Sequence, residues 1–275
     1  MGAMGNKGKK ELLVSDVEIG ACTIRVARNR ARFVRGTPLL VFNGLGLNWE
    51  TLSPLMRALS DIDVITFDVP GIGGSGTRLF PLTFRELARL AARVIDHFHI
   101  DKVAVMGISW GSGIALEFAR CLSSRCDKLI VASGSPGMPV IPKDLGSLLE
   151  LTNPRRFFDR AYLRQRAGPL YGGKFSKSPE LVEEYLDTLA RHKTPMTYYG
   201  QLFAAYRSTS LMWLHKIEQP TLIMVGREDM MLSRLNAMLM LRLIPRSEPV
   251  YLDDGHMFFY SSAEETAQKV KEFIG

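Results

Sequence analysis

The sequence predicts an α/β fold: a mostly parallel, doubly wound sheet with an inserted helical cap. Short apolar segments rich in β-branched residues recur along the chain, as expected for strands buried on both faces of a parallel sheet. Apolar residues at helical spacing lie between several of them, and such alternation is typical of α/β proteins. The alternation stops between residues 135 and 216, which indicates an insertion between two core strands.

Six segments are predicted as buried strands because each is short and continuously apolar: Pro38–Phe42, Val64–Phe67, Val103–Met106, Leu129–Ala132, Leu222–Val225 and Val250–Leu252. Leu12–Glu18 and Cys22–Ala27 are predicted to form an antiparallel pair ahead of them. From Phe84 to Phe98 the apolar residues keep one helical face, and a second helix is expected around Gly113.

These elements divide the chain into a core, residues 11–134 and 217–275, and a helical cap, residues 135–216. Residues 1–10 are Gly- and Lys-rich without the apolar stretch of a secretory signal, and we expect a disordered tail. Aromatic residues are concentrated between residues 154 and 213. Most should form the small core of the cap, but Tyr199 and Phe203, on one helical face, are expected to line an apolar substrate cleft.

Composition excludes several classes of protein. The 275 residues are 46% apolar and 23% charged, as in soluble globular proteins. The net charge of +7 is spread along the chain without a long basic run, which argues against nucleic-acid binding. The three cysteines match neither a disulfide framework nor a zinc spacing, so we expect buried free thiols in a reducing compartment. The sequence has no apolar run of 18 residues, so a transmembrane segment is not expected. We expect a cytoplasmic protein.

The segment Gly107-Ile108-Ser109-Trp110-Gly111 carries a candidate nucleophile. It lies between a predicted strand and a predicted helix, which is the context of the G-x-S-x-G nucleophile elbow. Glycines are needed on both sides of the serine because the turn is tight and a Cβ there would clash with its neighbours. Ser109 is therefore the predicted nucleophile.

A serine nucleophile needs a base, and the base needs an orienting carboxylate. His256 follows the last predicted strand and is the expected general base; in a parallel sheet this places it at the edge where ligands bind. Asp229 follows the preceding strand and is the expected orienting acid, with Glu228 as the alternative. The other histidines lie where capping or surface roles are expected: His97, His99, His192 and His215.

The oxyanion of an acyl-transfer reaction needs two N–H donors. The N–H of Trp110, directly after the nucleophile, is one candidate. The loop Asn43-Gly44-Leu45-Gly46 supplies the other, the N–H of Leu45, with the Asn43 side chain bracing the loop.

A glycine-rich segment, Gly71–Gly76, matches the dinucleotide pattern G-x-G-x-x-G and follows a predicted strand. However, Pro70 and Pro81 bracket it, and no helix is predicted at its third glycine. Nicotinamide binding is therefore not expected. The glycines are interpreted as allowing this loop to turn beneath the oxyanion loop.

Taken together, these motifs resemble the α/β-hydrolase superfamily and, more closely, the intracellular depolymerases of medium-chain-length poly(3-hydroxyalkanoate). The likeness extends over about residues 36–272. It rests on Phe42–Gly46, Phe67–Gly71, Gly107–Gly111, Asn153–Arg156, Tyr171–Gly173, Trp213–Ile217, Gln219–Thr221 and Asp253–His256. The family usually has glycine where this chain has Ser112.

The resemblance implies hydrolysis of ester bonds in a hydrophobic storage polyester, with no metal or organic cofactor and with the storage-granule surface as a working partner. A carboxylesterase or another acyl hydrolase acting on small esters is the main alternative, because the triad is shared by many activities. A non-catalytic granule-surface or acyl-binding protein is a further one.

Overall fold

The computed structural model describes residues 12–29, 36–78, 80–189 and 195–275. Its strands are β1 (Leu13–Ile19), β2 (Cys22–Asn29), β3 (Leu39–Phe42), β4 (Val64–Phe67), β5 (Val103–Ile108), β6 (Cys126–Ala132), β7 (Thr221–Gly226) and β8 (Ser247–Leu252). Its α-helices are α1 (Ser53–Ala58), α2 (Phe84–His97), α3 (Gly111–Cys121), α4 (Leu145–Thr152), α5 (Arg160–Tyr171), α6 (Pro179–Thr188), α7 (Pro195–Tyr206), α8 (Arg234–Leu243), α9 (Phe258–Ser261) and α10 (Ala263–Ile274). None of these helices is long and apolar enough to cross a membrane.

The described strands form one eight-stranded sheet in the order β1-β2-β4-β3-β5-β6-β7-β8. The neighbours from β4 to β8 in this order are parallel, whereas β1 and β2 join antiparallel. This confirms the predicted fold class and the antiparallel pair. The expectation that Val250–Leu252 is buried on both faces is wrong, because β8 is the edge strand and Tyr251 on it is exposed.

Two apolar layers hold helices on opposite faces of the sheet, because successive strand residues point to opposite sides. Leu40 of β3 belongs to the layer that contains the buried faces of α2 and α3. Its neighbour Leu39 belongs to the layer that contains α1, α9 and α10. The predicted amphipathic helices are confirmed, although α3 begins at Gly111, ahead of Gly113.

The segment from residue 135 to residue 216, hereafter the cap segment, contains α4, α5, α6 and α7 among its described residues and connects β6 to β7. Its boundaries as a separate domain remain a prediction. The predicted tail, residues 1–10, lies outside the described residues.

The described residues of the glycine-rich loop between β4 and α2 form no helix, as predicted. Gly71 and Gly73 adopt positive φ angles of 83° and 54°. Asp68, at the start of this loop, accepts hydrogen bonds from the N–H groups of Gly74 (3.1 Å) and Trp49 (2.7 Å). Burial raises the pKa of Asp68 to about 7. The loop is thereby tied to the segment that follows the oxyanion loop.

The three cysteines carry free thiols. Cys22 and Cys126 are buried as expected, and burial raises the pKa of the Cys126 thiol to about 12. Cys121 is only half-buried, because it lies at the end of α3.

The turn after β8 is held by one buried carboxylate, that of Asp254, which is 1% exposed. It accepts hydrogen bonds from the N–H groups of Lys174 (2.8 Å) and Gly255 (2.7 Å). The hydroxyls of Ser261 and Ser262 each donate to its other oxygen at 2.6 Å. Asp254 therefore joins the turn to the cap segment and to α9.

We expect Asp254→Ala to lower the free energy of unfolding by about 3 kcal/mol, because several buried donors lose their acceptor. The control is Asp253→Ala: the Asp253 side chain is 87% exposed although it pairs with Arg227, so its loss should cost less than about 1 kcal/mol. Urea denaturation of both variants measures the difference. Equal losses would contradict an anchoring role for Asp254.

Candidate active site

Ser109 follows β5 in a strained turn. Its φ angle is +50°, a conformation that non-glycine residues seldom adopt and that marks functional turns. A Cβ at Gly107 would lie 2.5 Å from the Gly111 carbonyl oxygen, and one at Gly111 would lie 2.5 Å from the carbonyl oxygen of Asn43. The predicted need for glycine on both sides of the serine is confirmed.

His256 lies beside Ser109. Its Nε2 is 2.9 Å from Ser109 Oγ, and its backbone N–H donates to the Tyr171 carbonyl oxygen at 2.7 Å. The Tyr171 ring stacks against the imidazole with the planes 14° apart. His256 is buried, with 2% of its surface exposed, and Tyr171 of the cap segment lies beside it.

Asp229 lies on the far side of the imidazole. Its Oδ2 is 2.8 Å from His256 Nδ1, and its Oδ1 accepts the N–H groups of Met231 (2.8 Å) and Leu232 (3.0 Å). Since a carboxylate only accepts, Nδ1 carries the proton and Nε2 is free to accept the proton of Ser109. The rival, Glu228, is half-exposed and pairs with Lys177. The geometry therefore favours Asp229 as the orienting acid.

The two candidate oxyanion donors belong to the loops after β3 and β5. Within the described residues, neither the N–H of Leu45 nor that of Trp110 donates to a protein acceptor. Asn43 braces the first loop as predicted: its amide donates to the Asn48 carbonyl oxygen at 2.8 Å. Both N–H groups therefore remain candidate donors to an oxyanion.

Gln201 of α7 connects these two loops to the cap segment. Its side-chain oxygen accepts the N–H of Gly46, and its backbone oxygen accepts the indole N–H of Trp110, both at 2.8 Å. Sequence reasoning missed this residue, because nothing in the local pattern distinguishes it from other polar residues of a helix.

A cavity of about 30 Å³ opens at Ser109. Its described lining residues are Gly44, Leu45, Leu47, Ile108, Ser109, Leu151, Arg156, Tyr171, Met231, His256, Met257 and Phe259. A second cavity of similar size lies between α5 and α6 and shares Leu45, Leu47, Arg156 and Tyr171 with it. Arg156 and Tyr171 belong to motifs that the family resemblance had singled out without assigning a role.

Tyr199 and Phe203 are not among the described residues that line these two cavities. The Tyr199 ring packs on Phe157, and its hydroxyl donates to the Thr152 carbonyl oxygen at 2.9 Å. Phe203 lies on the exposed face of α7. His192 lies outside the described residues.

Residues 37–263 match the family model of the α/β hydrolase fold. The chain therefore belongs to the α/β-hydrolase family. Family membership and the similar proteins described below confirm the predicted class of enzyme, an ester hydrolase. Among curated proteins it is similar to a poly(3-hydroxyalkanoate) depolymerase of Ectopseudomonas oleovorans, with 40% identity over 239 residues, or 86% of this chain and 84% of that protein.

Solved structures share the fold at low sequence identity. The enol-lactonase of Burkholderia xenovorans LB400 superposes with a TM-score of 0.81 at 16% identity, covering 94% of this chain and 99% of that one. A thermophilic esterase of Thermogutta terrifontis gives 0.76 at 22% identity, covering 95% and 97%. These likenesses support the fold alone.

We expect Asp229→Asn to lower kcat about ten-thousand-fold on a soluble ester, because an amide stabilises the wrong tautomer of His256. The matched control, Glu228→Gln, removes the neighbouring exposed carboxylate and should change kcat less than about three-fold. Steady-state kinetics of the purified variants compare the two. The reverse order of effects would assign the acid to Glu228.

Proposed function

We propose that the protein hydrolyses the ester bonds of a medium-chain-length poly(3-hydroxyalkanoate) through an acyl-enzyme on Ser109. The observation that carries the proposal is the hydrogen-bonded series Ser109, His256 and Asp229 at a mostly apolar cavity. The 40% identity to a poly(3-hydroxyalkanoate) depolymerase supports the choice of substrate.

The proposed reaction has two halves. His256 Nε2 takes the Ser109 proton while Oγ attacks the ester carbonyl, and the N–H groups of Leu45 and Trp110 stabilise the oxyanion. His256 then protonates the leaving 3-hydroxyl oxygen, and an acyl-enzyme remains. Water that transfers its proton to His256 attacks the acyl-enzyme, releasing the acid and restoring Ser109. Asp229 stabilises the imidazolium in both halves.

The surface of α7 supports a hydrophobic substrate. Met196, Tyr199, Phe203 and Tyr206 are all exposed and follow one another at helical spacing, so they share one side of the helix. An exposed apolar patch of this kind marks an interaction site. In this proposal Tyr199 and Phe203 contact the polymer outside the cavity, at the surface of a cytoplasmic polyester granule.

One observation favours the second candidate, a carboxylesterase of small esters. Each cavity of about 30 Å³ has room for on the order of one or two water molecules. A long 3-hydroxyacyl unit needs cap side chains to move before it fits, whereas a short ester needs less movement. The size of the acyl group that is turned over distinguishes the two functions.

The covalent step predicts that a fluorophosphonate probe labels the protein at Ser109. Ser109→Ala and His256→Ala should each lower kcat by on the order of a million-fold, since triad members act as a unit. Ser112→Ala is the control: its hydroxyl donates to the Ser109 carbonyl oxygen at 2.5 Å without reaching the reacting atoms, so labelling should persist. Labelling of Ser109→Ala to the level of wild type would refute the acyl-enzyme.

The substrate proposal is tested by measuring rates on dispersed medium-chain polyester, dispersed short-chain polyester and a soluble ester. The medium-chain polymer should be hydrolysed faster than the short-chain polymer. Each buried CH₂ contributes about 0.8 kcal/mol, so two more methylenes per side chain should raise kcat/KM roughly ten-fold. Phe203→Ala should slow polymer hydrolysis several-fold and leave the soluble ester unchanged.

Leu235→Ala, which removes an equally exposed apolar side chain from α8, is the control for surface hydrophobicity. Faster turnover of the short soluble ester than of either polymer, with no effect of side-chain length, would favour the carboxylesterase.

A further inference from the structure

One charged side chain interrupts the apolar wall beside Ser109. Arg156 is the only Arg, Lys, Asp or Glu among the described residues of that wall. It also belongs to the wall of the neighbouring cavity between α5 and α6. Arg156 therefore lies where the two cavities meet.

Arg156 has no carboxylate partner within the described residues. Among the described residues it makes one hydrogen bond, from Nη1 to the Glu150 carbonyl oxygen at 3.2 Å, and its guanidinium lies over the Tyr198 ring at 4.9 Å. The Glu150 carboxylate is occupied by Arg166 at 2.6 Å. By contrast, the adjacent Arg155 pairs with Asp159 on the surface.

A guanidinium in an apolar wall is costly unless an anion pairs with it. A guanidinium has a planar set of N–H donors that can bind a carboxylate through two parallel hydrogen bonds. A single hydrogen bond to a carbonyl oxygen leaves most of these donors unused. The structure therefore holds a cation that lacks a counter-ion beside the candidate nucleophile, and the missing anion has the chemistry of a carboxylate.

We propose that Arg156 binds the free carboxylate at the end of a 3-hydroxyacyl chain, so that the site recognises the acid end of oligomers. This inference rests on the proposed esterase activity of Ser109. In a polyester, the last ester oxygen and the terminal carboxylate belong to the same hydroxyacyl unit, separated by a short carbon chain. A carboxylate on Arg156 would therefore place that ester next to Ser109.

The chemical step balances without any co-reactant except water. Ser109 Oγ bonds to the carbonyl carbon of the unit before the last, the bond from that carbon to the last unit's oxygen breaks, and His256 gives this oxygen its proton. The last unit leaves as a free 3-hydroxyacid whose carboxylate was held by Arg156. Water then releases the remaining chain from Ser109 with a new carboxylate end.

The test compares a 3-hydroxyacyl dimer as its free acid with the same dimer capped as a primary amide, which is neutral and of nearly the same shape. Wild-type enzyme should show a kcat/KM at least about ten-fold higher for the acid. Arg156→Met should abolish this preference through a higher KM for the acid, with the amide and a neutral soluble ester changed less than about three-fold. Arg156→Lys should keep part of the preference, because the charge remains and the planar donor set is lost.

Arg155→Met removes the neighbouring surface arginine and should leave the preference intact. Equal rates for acid and amide with wild-type enzyme would overturn the carboxylate site and leave the esterase proposal standing. An equal loss on both dimers in Arg156→Met, with the soluble ester lost too, would assign Arg156 to structure alone. Failure of wild-type enzyme on the soluble ester would overturn the esterase proposal itself.

Discussion

The arrangement of Ser109, His256 and Asp229 depends on the left-handed backbone at Ser109. This conformation costs on the order of 1–3 kcal/mol, so the surrounding structure must enforce it. It does so through backbone hydrogen bonds: the Ser109 N–H donates to the Ala132 carbonyl oxygen at 2.8 Å, and the Ser109 carbonyl oxygen accepts the N–H of Ser112 at 3.0 Å. Since β5 lies between β3 and β6, the sheet fixes both sides of the turn.

The histidine is held from two directions, and only one of them belongs to the sheet. The turn after β8 carries His256 to the edge of the sheet, but the carbonyl oxygen of Tyr171, at the end of α5, fixes its backbone. Asp254 joins the same turn to Lys174. The cap segment thus contributes half of the framework that orients the imidazole, and the site does not consist of the sheet alone.

Much of this arrangement follows from local sequence. Buried strands are short apolar runs, and parallel strands end at one edge, so the positions after β5, β7 and β8 converge regardless of other details. The elbow, His256 and the choice of Asp229 could therefore be predicted before any contact was known. The structure also confirms why glycines flank Ser109: a Cβ at Gly107 or Gly111 would clash with nearby backbone.

What could not be predicted depends on how the cap helices pack. Helical spacing placed Tyr199 and Phe203 on one face but gave no means of deciding whether that face is turned toward the sheet or toward solvent. The burial of His256 beside Tyr171 and the position of Arg156 in the cavity wall depend on contacts between residues far apart in sequence. No local pattern specifies such contacts.

Gln201 has a consequence for how such an enzyme can diverge. Its two hydrogen bonds join α7 to the oxyanion loop at Gly46 and to the indole of Trp110. A substitution that shifts α7 would therefore also disturb the backbone at Gly46, next to the candidate donor Leu45, and the side chain of Trp110. We therefore expect substrate range and turnover to change together when α7 is altered, unless the loop after β3 changes as well.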